Sequence, residues 1–216
     1  ERKIKITGIW SFHEIPESEK KIIMDDWETI KSKAANNQAH NLTRGDGNYL
    51  SPGPSGESHI YTKQLDGSKA RTRKFNFKAS YMDAVIARLG SSNIQTESLY
   101  KEGDENISLS EKIYEKFKPY IGMKDKDIAI SLGISEQECK QRHSILSKNI
   151  LKAIFGVPKN INVEEYIDEF SKADVTVKTV KLNENNMPDQ NVSFPAFKYK
   201  EIYREQWDNS LIKEQI

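Results

Sequence analysis

Apolar and polar positions along the chain fall into short blocks of two different periods. Lys3 to Trp10 alternates, with Ile4 and Ile6 set between basic residues, and predicts a half-buried strand. Pro16 then opens a helical block with Glu17 and Glu19 in its first turn, where carboxylates favour the dipole. Ile22, Ile23, Trp27 and Ile30 follow at helical spacing, and the block fades among Asn36, Asn37 and Gln38. Arg44-Gly45-Asp46-Gly47-Asn48 is turn chemistry, and Tyr49-Leu50 is a short extended piece. Ser51-Pro52-Gly53-Pro54-Ser55-Gly56 predicts a loop. Alternation resumes from Lys69 to Phe77 as a second strand, and Ser80 to Leu89 predicts a helix stopped by Gly90.

From Gly90 to Ile107 the pattern dissolves into Ser, Asn, Gly and Glu, which predicts a linker at 91–107 between segments 1–90 and 108–216. Ser108 with Glu111 is a capping box opening the next helix, which carries Ile113, Phe117 and Tyr120 on one face. Two further helices are predicted near Asp125–Leu132 and Ser135–Phe155, then an acidic helix near Val163–Phe170. A strand of alternating character at Val175–Leu182, a short strand near Val192–Phe197 and a final helix from Tyr199 complete the reading. Helices and strands interleave, so the fold class is α/β or α+β.

With 36% apolar and 30% charged residues over 216 positions, the composition is that of a globular chain with length enough for real cores. Its apolar stretches are too short to cross a bilayer, and its start is not that of a secretion leader, so neither a membrane partner nor export is expected. A lone Cys139 excludes an internal disulfide and a cysteine-based zinc site, as suits a cytoplasmic protein. Glu1 in place of methionine, and Ile216 inside a predicted helix, lead us to expect that both ends are cuts in a longer protein.

Overall charge says little, with 33 basic against 32 acidic residues; its distribution says more. Lys63, Lys69, Arg71, Arg73, Lys74 and Lys78 lie between His59 and Lys78 against the single acid Asp66. Such a stripe is either an electrostatic footprint for phosphate or a solvated strand face. A second cationic candidate is the segment from Asp127 to Arg142, whose Ala129, Gly133 and Ser135 have helix-turn-helix spacing. It brings Lys140, Gln141, Arg142 and Lys148 towards a groove if the motif is real, and is an ordinary pair of packed helices otherwise.

One further constellation points to hydrolysis. In Glu169-Phe170-Ser171-Lys172-Ala173-Asp174-Val175-Thr176-Val177-Lys178-Thr179 an acid precedes a strand with two same-face positions, Thr176 and Lys178. Many Mg²⁺ nucleases hold the ion between two carboxylates and place a lysine beside the attacking water. Here Glu169 and Lys178 fit those roles, but Thr176 stands where the second carboxylate belongs, and a neutral hydroxyl cannot replace that charge.

These residues resemble the acid-F-P-x-x-x-V-E-L-K-T signature of the MutH mismatch-repair nuclease family, and align with it without gaps. Leu151-Lys152-Ala153-Ile154-Phe155-Gly156 is similar to that family's L-E-I-W-L-G helix end, with Lys152 in place of a further site carboxylate. In the first half, Asp26-Trp27-Glu28, Gly47-x-Tyr49-Leu50 and Arg73-x-Phe75-x-Phe77-Lys78-x-x-Tyr81 resemble the C-terminal half of the same fold. The order implies the end of one MutH-like unit (1–90) followed by the start of a second, degenerate one (108–216). Tandem units of this kind characterise GATC-cutting type II restriction endonucleases.

The resemblance implies a restriction-endonuclease-like mixed sheet flanked by helices, double-stranded DNA as partner, self-association on DNA, and Mg²⁺ in the parent enzyme. The site in this chain is expected to be degenerate, with Glu169 its sole matched ligand and no metal held. The expected DNA-contacting set is Arg44, Ser55, Lys63, Lys69, Arg71, Arg73, Asn76 and Lys78, with Lys140 and Arg142 from the helical segment. The family's base-reading arginine falls at Gly53 or Pro54, and a DNA-contacting tyrosine falls at Asn76, so the target sequence is left open. Two other readings stand beside it: a non-enzymatic helix-turn-helix regulator, and an effector module whose nuclease-like strand is scaffolding.

Overall fold

The structure, a computed structural model, describes residues 11–55, 60–89, 96–104, 106–183, 185, 187–189, 191, 193–194, 196–204, 207, 210 and 212. The predicted strand at Lys3–Trp10 and the helix stop at Gly90 lie outside these residues. Helix α1 spans Glu17–Ala35 and ends at Asn36, with Asn37 turning the chain at φ 58°. Strand β1 is Leu50–Pro54, β2 Tyr61–Lys63, β3 Lys69–Arg71 and β4 Arg73–Phe77. Helix α2 (Ala79–Leu89) closes the first half. Then follow α3 (Leu109–Phe117), α4 (Asp125–Ser131), α5 (Glu136–Cys139), α6 (His143–Phe155), α7 (Val163–Tyr166), α8 (Asp168–Ala173) and α9 (Tyr199–Ile202). The result is a mixed α/β protein whose small antiparallel sheets are flanked by helices, compatible with a restriction-endonuclease-like fold.

Two segments of the sheets differ from expectation. The stretch from Ser51 expected as a loop is a strand, since Pro52 and Pro54, two residues apart, turn their missing N–H groups to one side. The opposite edge of β1 pairs antiparallel with β4, Pro52 facing Phe75 and Pro54 facing Arg73. The single strand expected over Lys69–Phe77 breaks at Thr72, whose N–H donates to the Ile60 carbonyl at 2.9 Å. Its first part joins β2 in one sheet and its second part joins β1 in another.

Two predicted helices also divide. Ser135–Phe155 separates into α5 and α6 at Lys140–Arg142, where Arg142 is extended and precedes the new helix. The acidic helix kinks at Ile167, because Glu97 bridges there: its N–H donates to the Tyr166 carbonyl (2.8 Å) and its carbonyl accepts from Asp168 N–H (3.0 Å). Val175–Leu182 is not a strand among the described residues, although Val175 and Val177 turn inward while Thr176 and Lys178 are exposed. Among the described residues of the last predicted helix, Tyr199–Ile202 is α-helical, and no strand forms over the described part of Val192–Phe197.

Three apolar clusters hold the elements. Leu99, Leu109, Phe155, Val163, Ile167 and Phe170 form the largest, with Phe155 packed edge-on against Phe117 and Phe170. Ile22, Tyr49, Tyr81, Val85 and Ala173 form a second, in which Tyr49 stacks on Tyr81 at 4.7 Å. Ala129, Leu146 and Ile150 form the third, between α4 and α6. The second draws on both halves of the chain, Ala173 packing among residues of the first half. Leu99, in the stretch expected as a linker, is only 5% exposed and belongs to the first cluster, while Glu97, Ser98, Lys101, Glu102 and Gly103 around it are exposed.

Candidate nucleic-acid face and the nuclease-like segment

The hairpin β2–β3 and the pair β1–β4 enclose a groove of about 340 Å³ against α1. Ile30, Leu42, Pro52 and Ala70 make its apolar floor, while Lys63, Arg71, Arg73 and Lys74 line its rim. Lys63 and Lys69 are direct partners across the hairpin. Like charges so placed repel, and an anion laid across them relieves the repulsion. Arg71 Nε is buried without a hydrogen-bond partner among the described residues. Arg73 donates to the Leu42 carbonyl at 3.1 Å, which fixes its guanidinium at the groove wall.

The remaining candidates of this set are placed differently. Lys78 is half-buried and donates to the Ala173 carbonyl at 3.0 Å; burial holds its ammonium below the usual lysine range. Its ammonium ties β4 to α8, which corrects its expected phosphate-facing role. Asn76 lies over Gly53, so close that a Cβ at that glycine would stand 1.8 Å from the Asn76 amide nitrogen. Ser55 is half-buried at the end of β1, its hydroxyl oxygen without a partner among the described residues. Arg44 is exposed at the start of a short turn, Arg44–Asp46.

The nuclease-like segment is brought only partly together. Glu169 is buried in α8, and its carboxylate accepts from the Ser98 hydroxyl and from Leu99 N–H (2.9 Å). It therefore serves as an anchor for residues 98–99. Lys178 is exposed, donates to the Ser193 carbonyl and lies 4.7 Å over the Phe194 ring. Lys152 donates to the Lys159 carbonyl at 2.6 Å. Glu169 thus accepts two hydrogen bonds and Thr176 is neutral and exposed; no group of three or more His, Cys, Asp or Glu able to hold a metal occurs among the described residues.

The helix-turn-helix expectation is altered by the break at Lys140. Lys140, Gln141 and Arg142 are exposed in the break itself, and the four-residue α5 is too short to lie along a groove as a reading helix. What sequence reasoning missed is the pin that holds α4 to α6. His143 Nδ1 lies 3.1 Å from Asp125 Oδ2, and its Nε2 lies 3.3 Å from Ser147 Oγ. Ser147 donates its hydroxyl proton to the His143 carbonyl at 2.8 Å, so the oxygen is not primed for attack and the trio is a structural clasp.

Two buried carboxylates were equally invisible as sites. Glu19 accepts from Arg88 (2.9 and 3.0 Å), Tyr81 (2.9 Å) and Lys172 (2.7 Å), while Lys172 also pairs with Asp168. Burial alone would raise the Glu19 carboxyl, but Lys172 and Arg88 outweigh it and hold the group below its usual range. Asp26 accepts from the backbone N–H groups of Asn48, Tyr49 and Leu50 and from the Asn48 side chain. There burial outweighs the amides and pushes the carboxyl up.

The fold and this face together define an α/β protein with a cationic groove beside small antiparallel sheets. No protein-family model matches the chain. Among curated proteins it is similar to the type II restriction enzyme Sau3AI of Staphylococcus aureus, 29% identical over 211 residues that cover 96% of this chain and 42% of that enzyme. The chain is thus a relative of a type II restriction enzyme and spans less than half of its length. No helix among the described residues is long and apolar enough to cross a membrane.

Proposed function

We propose that this chain is the DNA-binding portion of a cytoplasmic type II restriction endonuclease acting on double-stranded DNA. The observation that carries the reading is the similarity to Sau3AI along nearly the whole chain. The rim of Lys63, Arg71, Arg73 and Lys74, with Lys69 beside it, supplies the cations that a phosphate backbone requires. On the residue resemblance, the chain joins the end of one MutH-like unit to the start of a second, and the parent cleaves at GATC with Mg²⁺. Self-association on DNA belongs to the same reading.

Within this chain the nuclease-like segment is degenerate, and Glu169 and Lys178 hold structure in place of metal and water. The chain is accordingly expected to bind duplex DNA without cutting it. Incubating supercoiled plasmid with Mg²⁺ and the chain, beside a longer parent protein carrying an intact acid-x6-E-x-K strand, tests this. Cleavage by the chain that disappears in Glu169→Ala overturns the degenerate-site reading.

The salt dependence of binding locates the face. Replacing Lys63, Lys69, Arg71 and Lys74 together with alanine should weaken binding on every duplex. It should also flatten the log–log salt slope by about one unit for each phosphate that is no longer neutralised. Lys78→Ala, whose ammonium is held inside by Ala173, should lower stability and leave the slope unchanged. A quadruple variant with the parent slope leaves the stripe as a solvated strand face.

A further inference from the structure

Leu65 sits at the tip of the β2–β3 hairpin and is 81% exposed, more than any other aliphatic side chain among the described residues. Exposure of a single leucine is ordinary on a mobile loop. This tip, however, is held from several sides. Gln64 N–H donates to the Ser68 carbonyl (2.7 Å) and Gly67 N–H to the Gln64 carbonyl (3.1 Å), with Gly67 at φ 83°. Asp66 accepts from both the N–H and the hydroxyl of Ser68 (2.9 and 2.6 Å), so the one acid of the tip is turned back on the turn itself.

Two further bonds tie the tip to the end of α1. Ala39 N–H donates to Gln64 Oε1 (2.8 Å), and Asp66 N–H donates to Asn37 Oδ1 (3.0 Å). The fold thus uses six residues to hold an apolar side chain out into water. Lys63 and Lys69 flank it directly, with Arg71 one turn of the ladder behind. Tyr61, 55% exposed, stands at the other end of the same hairpin. An apolar point between cations matches one partner well: a nucleic-acid duplex, whose phosphates meet the lysines while its stacked bases receive the apolar group.

We infer that Leu65 is a wedge that enters a base step of duplex DNA and partly unstacks it, with Lys63 and Lys69 held against the flanking phosphates. The inference rests on the DNA-binding reading above. An aliphatic wedge of this kind kinks the duplex, and the anchoring to α1 pre-orders it, so no ordering cost falls at the moment of binding.

The test uses duplexes containing one GATC site, with 2-aminopurine at successive positions and a donor–acceptor pair at the two ends. The whole chain should bind with a rise of about twofold or more in 2-aminopurine emission at one step, together with a shorter end-to-end distance. Leu65→Ala should lose both signals while its affinity falls less than about tenfold and its salt slope is unchanged. Leu65→Met, which keeps an apolar point, should restore them. Binding without either signal overturns the wedge and leaves the DNA-binding reading standing, as do signals that persist in Leu65→Ala. Failure of the unaltered chain to bind any of the duplexes overturns both.

Discussion

Lys172→Met is expected to cost about 3–5 kcal/mol, because it leaves the buried Glu19 carboxylate without its closest cation and Asp168 without its counter-ion. The Lys172 and Glu19 side chains are 7% and 5% exposed, so water cannot replace the ammonium. Arg88 remains beside Glu19 but is itself partly solvated and reaches the carboxylate from one side. Urea denaturation measures the loss. The double variant Glu19→Gln with Lys172→Met should recover part of it, since the buried carboxylate is gone, although Asp168 and Arg88 then each lack a counter-ion. A single-variant loss below about 1 kcal/mol places the ion pair among those that contribute little.

The same cluster gives a pH dependence with a definite sign. Glu19 has a folded value below its ordinary 4.5, so its contribution is full above that pH and is lost as pH falls through the folded value. The stability difference between the chain and Glu19→Gln should therefore be constant near neutrality and shrink in acid. Asp26, pushed up by burial, titrates in the opposite sense, but it contributes equally to both proteins and drops out of the difference.

That cluster also marks where sequence reading ends. Local signals carry through well: Pro16 before α1, the Ser108–Glu111 and Ser135–Glu138 capping boxes, and the fading of α1 at Asn36 all stand in the structure. These depend on residues within one helical turn of each other. Lys172 and Glu19 are 153 positions apart, and nothing local records that a lysine and a first-turn glutamate will be buried together. Indeed Glu19 reads naturally as a solvated dipole partner.

The nuclease-like segment departs from expectation in a related way. Alternation at Val175–Lys178 is real, with the valines inward, but a ladder needs a partner strand that no local pattern supplies. Glu169 stands out in the sequence, yet its burial is explained by Ser98 and Leu99 from a stretch that reads as linker. At Ser51–Pro54 the difference runs the other way: prolines suggest a loop, whereas a strand paired on one edge only has a free side for them. The basic stripe is legible because charge is local, but its membership is not. Lys78 continues the pattern in sequence and turns inward to Ala173 in space.

Asp26→Ala is expected to lower stability by about 3–5 kcal/mol and to weaken DNA binding with it. Asp26 Oδ1 accepts from Asn48 N–H (2.7 Å) and the Asn48 side chain (3.1 Å); Oδ2 accepts from Tyr49 N–H (2.7 Å) and Leu50 N–H (2.9 Å). Alanine strands these donors where little water reaches, since Asp26 is 2% exposed. The turn they hold delivers Tyr49 onto Tyr81 and starts β1, whose Pro52 forms part of the groove floor. Loosening it therefore moves the floor against which Arg73 and Lys74 are set. Asp26→Asn should be nearly as harmful, because its amide group points hydrogens at one of the two donor pairs. Gly47→Ala tests the turn independently: its Cβ would stand 1.7 Å from the Leu50 carbonyl oxygen, so the turn must open although Asp26 is intact. Denaturation midpoints and duplex affinity are measured on all three. If Asp26→Ala melts with the parent chain, the carboxylate is not what holds the turn. If the three lose stability but bind duplex with unchanged affinity, β1 does not position the cationic groove.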